Sequence, residues 1–205
     1  MIQPGLAKIE GFVKITDPNS GEVLVDKKNA IHYENISIAM ARTLSNRTSA
    51  QGGGWIYTMA FGNGGSSVDP TGVITYLPPN ITGQNAALYN ETYAKVVDDN
   101  SAADTDPTNN YMTVIHTTGN AYTDIVVTCL LDYGEPAGQQ AFDNSTNANG
   151  EYVFDELGLQ SWAGSASELM LITHVIFHPV QKSLNRQIQI EYTLRIQTLT
   201  NLSAA

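Results

Sequence analysis

Residues 186–196 read RQIQIEYTLRI, with apolar and polar residues alternating without a break. Ile188, Ile190, Tyr192, Leu194 and Ile196 fall on one side, and Gln187, Gln189, Glu191, Thr193 and Arg195 on the other. Successive side chains of a strand point to opposite faces, so this run fits a half-buried β-strand. Just upstream, residues 169–177 form a dense apolar run that closes at His178-Pro179. Proline has no N–H to give to a central ladder, so the polar residues 179–185 read as the connection between two strands. The expectation is a long hairpin over residues 169–196 at the centre of a β-fold, with the rest of the chain packed around it.

The remaining segments carry the same period. Residues 8–16 (KIEGFVKIT) alternate, Asp17-Pro18-Asn19-Ser20-Gly21 supplies a turn, and residues 22–26 (EVLVD) return as a second strand. The period changes over residues 33–47, where Ile36, Met40 and Leu44 with Ala39 and Ala41 fit one helical stripe, and Gly52-Gly53-Gly54 ends it. Further strands are expected at 55–61, 71–76, 89–97, 111–116, 124–131 and 151–154. Residues 155–159 read as a tight end to the last of these, and residues 160–167 as a loop. Short strands with turn signals every ten residues or so predict an all-β fold, a mainly antiparallel sandwich or barrel, with one short N-terminal helix. A chain of 205 residues can fill one sizeable core. A single domain over residues 1–205 is expected, with the hairpin and helix at about 8–47 packed on it or extending from it.

Charge narrows the partners. Twenty acids against ten bases leave a formal net charge of −10. This argues against sequence-specific nucleic-acid binding, in which Lys and Arg neutralise phosphates. An acidic wall that repels the DNA backbone remains compatible with a DNA conduit. No apolar run approaches the roughly 20 residues that span a bilayer, so no membrane partner is expected. The N-terminal residues MIQPGLAKIEGF lack the basic start and apolar stretch of a signal peptide, which predicts a protein made and used without secretion. The single cysteine, Cys129, lies in the apolar run IVVTCLL and reads as a buried small hydrophobe.

No chemistry assembles from the motifs. The glycine loop Gly62-Asn63-Gly64-Gly65-Ser66-Ser67 lacks the lysine and the following helix of a phosphate cradle, and reads as a turn or a bulge allowing close chain approach. Asp98, Asp99, Asp104 and Asp106 offer hard oxygen ligands of the kind calcium prefers, without EF-hand spacing, so a solvated loop is the reading preferred over an ion site. His174 and His178 share a strand face but stand about 13 Å apart along it, too far for one metal ion. His32, His116, His174 and His178 read as structural histidines. The neighbours Asp155 and Glu156 are expected to face opposite ways on a strand, so that they do not converge on a substrate. No catalytic, cofactor-binding or metal residue is singled out, and no enzyme is expected.

The segments GFVKITDPNSGEVLVDKKNAIHYENIS, MAFGNGGSSVDPTGVITYLPPN, YVFDELGL and THVIFHPVQKSLNRQIQIEYTLRI together cover most of the chain. In them the sequence resembles a class of virion structural proteins of tailed bacteriophages. The resemblance implies a small β-rich, non-enzymatic subunit that assembles in the host cytoplasm. It would form rings or decorate the particle, with other copies of itself and neighbouring virion proteins as partners. The acidic balance favours the neck, collar or tail, and capsid decoration or fibre attachment stands as the alternative. Lys27, Lys28, Arg42, Arg47, Lys182, Arg186 and Arg195, set against the acidic residues 98–106, fit two readings equally, opposite patches that pair neighbouring subunits head to tail and a solvated mixed surface. A reading from another class, a glycan-binding β-sandwich, would use Trp55, Trp162 and tyrosines to stack on sugars.

Overall fold

The structure, a computed structural model, describes residues 7–44, 53–136, 151–162, 164 and 168–198. The strands are β1 (Ala7–Thr16), β2 (Val23–Ile31), β3 (Ile56–Gly62), β4 (Ser66–Val68), β5 (Ile74–Tyr76), β6 (Glu91–Val96), β7 (Tyr111–Ile115), β8 (Tyr122–Leu131), β9 (Glu151–Trp162), β10 (Leu169–Leu171), β11 (Thr173–Ser183) and β12 (Ile188–Thr198). One helix, α1 (Tyr33–Leu44), follows β2. A ten-stranded sheet runs in the order β6-β3-β9-β11-β2-β1-β12-β8-β7, with β10 added to β9, and β4 and β5 pair with each other in a separate ribbon. Every pairing is antiparallel. The expected all-β class with one short helix is what the chain adopts.

The alternation seen in β12 sets the sheet. Reading across four strands, Val13, Tyr192, Val127 and Met112 lie opposite one another in one row, and Gly11, Leu194, Ile125 and Val114 in the next. All of these point to one side, so four separate sequence segments contribute to a single apolar face. Its centre is sealed, with Ile15, Tyr192, Val127 and Cys129 in the core. Phe61, Phe154 and Phe177 close the other half, with ring pairs meeting edge-on at 5.6 and 5.7 Å. Ile36 and Ala39 dock α1 on this core.

Three expectations are corrected. The long central hairpin does not form: β11 and β12 belong to different parts of the sheet, separated by β2 and β1. The β1–β2 hairpin inserts between them because β1 finds ten matched partners on β12, from Ala7 opposite Thr198 to Thr16 opposite Gln189. Residues 155–162 are not an end and a loop, since β9 runs unbroken to Trp162. Pro179 sits inside β11, where the register against β9 shifts between Ile176 and Val180. Such an irregularity leaves residues outside the ladder, so the missing N–H costs no hydrogen bond. The predicted helix residues 45–47 fall outside the described residues.

The sheet is linear in its pairing but curls until β6 approaches β8. Past the end of β7, β8 at Leu130 has β12 on one side and, among the described residues, no strand on the other. Asn110 accepts the Leu130 N–H at 3.1 Å and the Lys95 ammonium, from β6, donates to the Leu130 carbonyl at 2.6 Å. Lys95 also pairs with Glu135 at 2.5 Å. Side chains thus take over where the ladder stops.

Candidate functional site

The register shift in β11 has a consequence on β9. Phe154, Leu157 and Leu159 all reach the core, and the step of three from Phe154 to Leu157 breaks the period of two. On β11, Phe177 and Val180 show the same step. The residues between, Asp155 and Glu156, both stay out of the core and take part in holding one loop, contrary to the expectation that they diverge. Asp155 accepts from the Gly65 N–H at 2.9 Å and from the Ser66 hydroxyl. Glu156 accepts from the N–H groups of Gly64 at 3.0 Å, Asn90 at 2.8 Å and Tyr89 at 2.9 Å. The glycine loop is therefore a close chain approach. A Cβ on Gly62 would stand 2.5 Å from the Asn90 carbonyl oxygen and from Glu156 Oε1.

Glu156 takes a fourth bond from His174 Nε2 at 3.0 Å, and both residues are fully buried. His174 Nδ1 accepts the Asn80 N–H at 2.8 Å, which requires that nitrogen to be unprotonated. The ring is thus a neutral imidazole that donates from Nε2, and the pair is a hydrogen bond to a carboxylate rather than an ion pair. Burial pushes the Glu156 carboxyl up, but the bonds from His174, Asn90, Tyr89 and Gly64 outweigh it and hold the group below the ordinary glutamate value. Asp155, with fewer donors, is pushed up by burial and by the neighbouring Glu156 charge.

His32 repeats the device at the start of α1. Its Nδ1 accepts the Asn35 N–H at 3.2 Å, capping the helix, and its Nε2 donates to the Gly83 carbonyl at 2.8 Å. The Asn35 amide donates to the Gln84 and Leu171 carbonyls at 3.1 and 2.8 Å. Residues 77–90, which carry no strand, are thus held at Asn80, Gly83, Gln84, Tyr89 and Asn90 by four buried side chains. Sequence reasoning placed His32 and His174 as structural histidines and missed their shared target. The available signal was Glu156 beside the apolar Phe154, Leu157 and Leu159, and His174 beside Val175, Ile176 and Phe177.

Other predicted positions lie apart. His178 bonds the Tyr76 hydroxyl at 3.2 Å, and His116 bonds the Tyr122 carbonyl and the Thr123 hydroxyl at 3.1 Å. Cys129 is buried, and desolvation pushes its thiol up to about 12. In the acidic segment, Asp98 accepts from the Asn100 N–H and Asp104 from the Asp106 N–H, so these carboxylates serve their own loop. Among the described residues no three His, Cys, Asp or Glu side chains come together as metal ligands. Trp55 and Trp162 stack on each other at 6.1 Å and 11°, and Tyr57 meets Trp162 edge-on at 4.6 Å, so the rings occupy one another's faces.

Of the basic residues expected to face neighbouring subunits, those described are bonded within the chain, Arg42 to the Met170 sulfur. Lys27 donates to the Ile176 carbonyl, Lys28 pairs with Glu10, Arg186 with Asp17 and Glu22, and Arg195 with Asp124. Lys182 is buried, donating to the Asp132 and Ser183 carbonyls at 2.9 and 3.0 Å, and burial pushes its ammonium down to about 8. Arg47 lies outside the described residues.

Comparison with protein-family models, curated proteins and solved structures finds no match to this chain. The fold defines the class, a curled antiparallel sheet with one helix. No helix among the described residues is long and apolar enough to cross a membrane.

Proposed function

We propose that this chain is a non-enzymatic structural subunit of a tailed-phage virion, a neck, collar or tail component that assembles in rings and joins neighbouring virion proteins. The observation that carries this reading beside the segment resemblance is how the buried polar groups are spent. Asn35, His32, His174 and Glu156 are all directed at the backbone of residues 77–90. Glu156 is fully buried and its two oxygens already accept four bonds, so it is closed to a substrate. Buried charge used to fix the shape of outer loops suits a protein that works through its surface. The host cytoplasm is the place of assembly in this reading and the virion its destination.

The test is the mass of the purified protein by light scattering across a concentration series. A discrete ring supports the reading. A monomer at every concentration that binds sugars on a glycan array supports the glycan-binding module instead.

A further inference from the structure

The ribbon of β4 and β5 pairs outside the main sheet, packed by β4 against β11, and places apolar residues in solvent. Val68 is 62% exposed, Val73 58%, Tyr76 46% and Leu77 44%. Its tip is nonetheless built. Asp69 Oδ1 accepts from the Thr71 N–H at 2.8 Å, the Thr71 hydroxyl at 2.6 Å and the Val73 N–H at 3.0 Å, and Gly72 takes a φ of +86° to close the turn. The Thr71 hydroxyl and then the Val73 N–H hold the Asp69 carboxyl below the ordinary range. The base is fixed as well, by the Leu77 N–H to the Gly65 carbonyl at 2.9 Å and by Tyr76 to His178. An ordered projection with an apolar surface is pre-organised for a contact.

A second apolar surface lies elsewhere on the molecule. The apolar face of the sheet is sealed at Tyr192 but opens towards β7, leaving a groove of about 380 Å³ between that face and α1. Ile36 and Met40 line it from α1, Ile125 and Ile196 from the sheet, and Trp55 and Val114 complete the lining. Val114 is 69% exposed. No charged residue lines the groove among the described residues, and it shares no residue with the β4–β5 ribbon.

We propose that the β4–β5 ribbon of one copy seats in the groove of the next, giving a head-to-tail contact between copies of this chain. The inference rests on the ring-forming reading above and assigns the surfaces that would build the ring. Charge selects the occupant. Each copy carries −10, and Lys27, Lys28, Arg186 and Arg195 are bonded to groups of their own chain, so a contact between copies through the charged surface brings like charges together. Among the described residues no charged side chain lines the groove, and the one carboxylate of the ribbon, Asp69, is bonded within its own turn. Because the two surfaces are separate, each copy can engage two neighbours at once, as a heterologous interface requires.

The experiment compares wild type with two variants, V68D/V73D on the ribbon and V114D at the groove, by light scattering and sedimentation. All three positions are exposed, and an unchanged circular dichroism spectrum and melting curve establish that each variant folds. V23D, at a valine 49% exposed outside both surfaces, is the control. Wild type and V23D are expected to form the same assembly, and each surface variant to weaken it by about a hundredfold, the scale of seating an unpaired charge in an apolar site. An equimolar mixture of the two variants should give a one-to-one dimer and nothing larger, since one retains the groove and the other the ribbon. Wild-type rings that persist in V68D/V73D or V114D overturn this contact and leave the ring-forming reading standing. A monomeric wild type overturns that reading, and the contact with it. Variants that each lose assembly and do not associate when mixed overturn the head-to-tail arrangement.

Discussion

Glu156 carries its charge with no cation in contact, and four N–H donors do the work of a counter-ion. Replacing it by Gln turns an amide NH₂ towards donors that need an acceptor. E156Q should lower stability by about 3 kcal/mol, the scale of a charged hydrogen bond lost with a donor left unpaired. The urea midpoint should fall at unchanged m-value. The folded carboxyl lies below the ordinary 4.5, so its contribution is complete above that pH and is lost as pH falls through the folded value. Asp155 has the opposite sign. Its folded carboxyl lies above the ordinary 3.8, so acidification relieves a cost. Urea midpoints between pH 6 and 3 should therefore fall less steeply in E156Q than in wild type, and more steeply in D155N. Cys129 was legible from its apolar context, whereas the role of Glu156 was not. A carboxylate in a strand announces neither its donors nor the loop they come from.

At the scale of elements, two glycines separate two kinds of constraint. Gly62 has no room, with the Asn90 carbonyl oxygen and Glu156 Oε1 both 2.5 Å from where a Cβ would stand. Gly72 has room but a φ of +86°. G62A should cost about 3 kcal/mol, because backbone must move to relieve the overlap, and G72A only about 1 kcal/mol, the left-handed penalty alone. Thermal denaturation of the two variants checks the order, and equal losses would contradict the close approach. The helix and most strands follow directly from their periods. The β11 irregularity does not, because the apolar spacing resets at Phe177 and Val180 on one strand and at Phe154 and Leu157 on its neighbour. Such a reset becomes meaningful only once the two strands are known to pair.

Across the whole molecule, the curl of the sheet depends on a few side chains. In the ladder Thr173 opposite Ile31 and His174 opposite Ala30 pair β11 with β2, and Lys27 adds a bond to the Ile176 carbonyl. On the far side Lys95 spans from β6 to the Leu130 carbonyl. K95M removes that ammonium and leaves the carbonyl and Glu135 without it, which should cost about 2 kcal/mol. Hydrogen exchange should accelerate together in β6 and in β8 near Leu130, and acceleration confined to β6 would show that Lys95 does not hold the two strands together.

The sequence by itself determined the class of fold. Strict alternation over residues 188–196 admits one backbone shape, and apolar residues recurring at the same period in the other segments demand a sheet with a buried face. Turn residues placed most of the breaks, and the lone helix declared itself by its own stripe. Tertiary structure decided which strands became neighbours, because a period of two states that a strand has an inside without naming its partner. β12 therefore found β1 and β8 rather than the adjacent β11. Only that pairing could bring His32, Asn35, His174 and Glu156 to one loop. It also left an apolar groove beside α1 among the described residues and an apolar ribbon paired outside the main sheet.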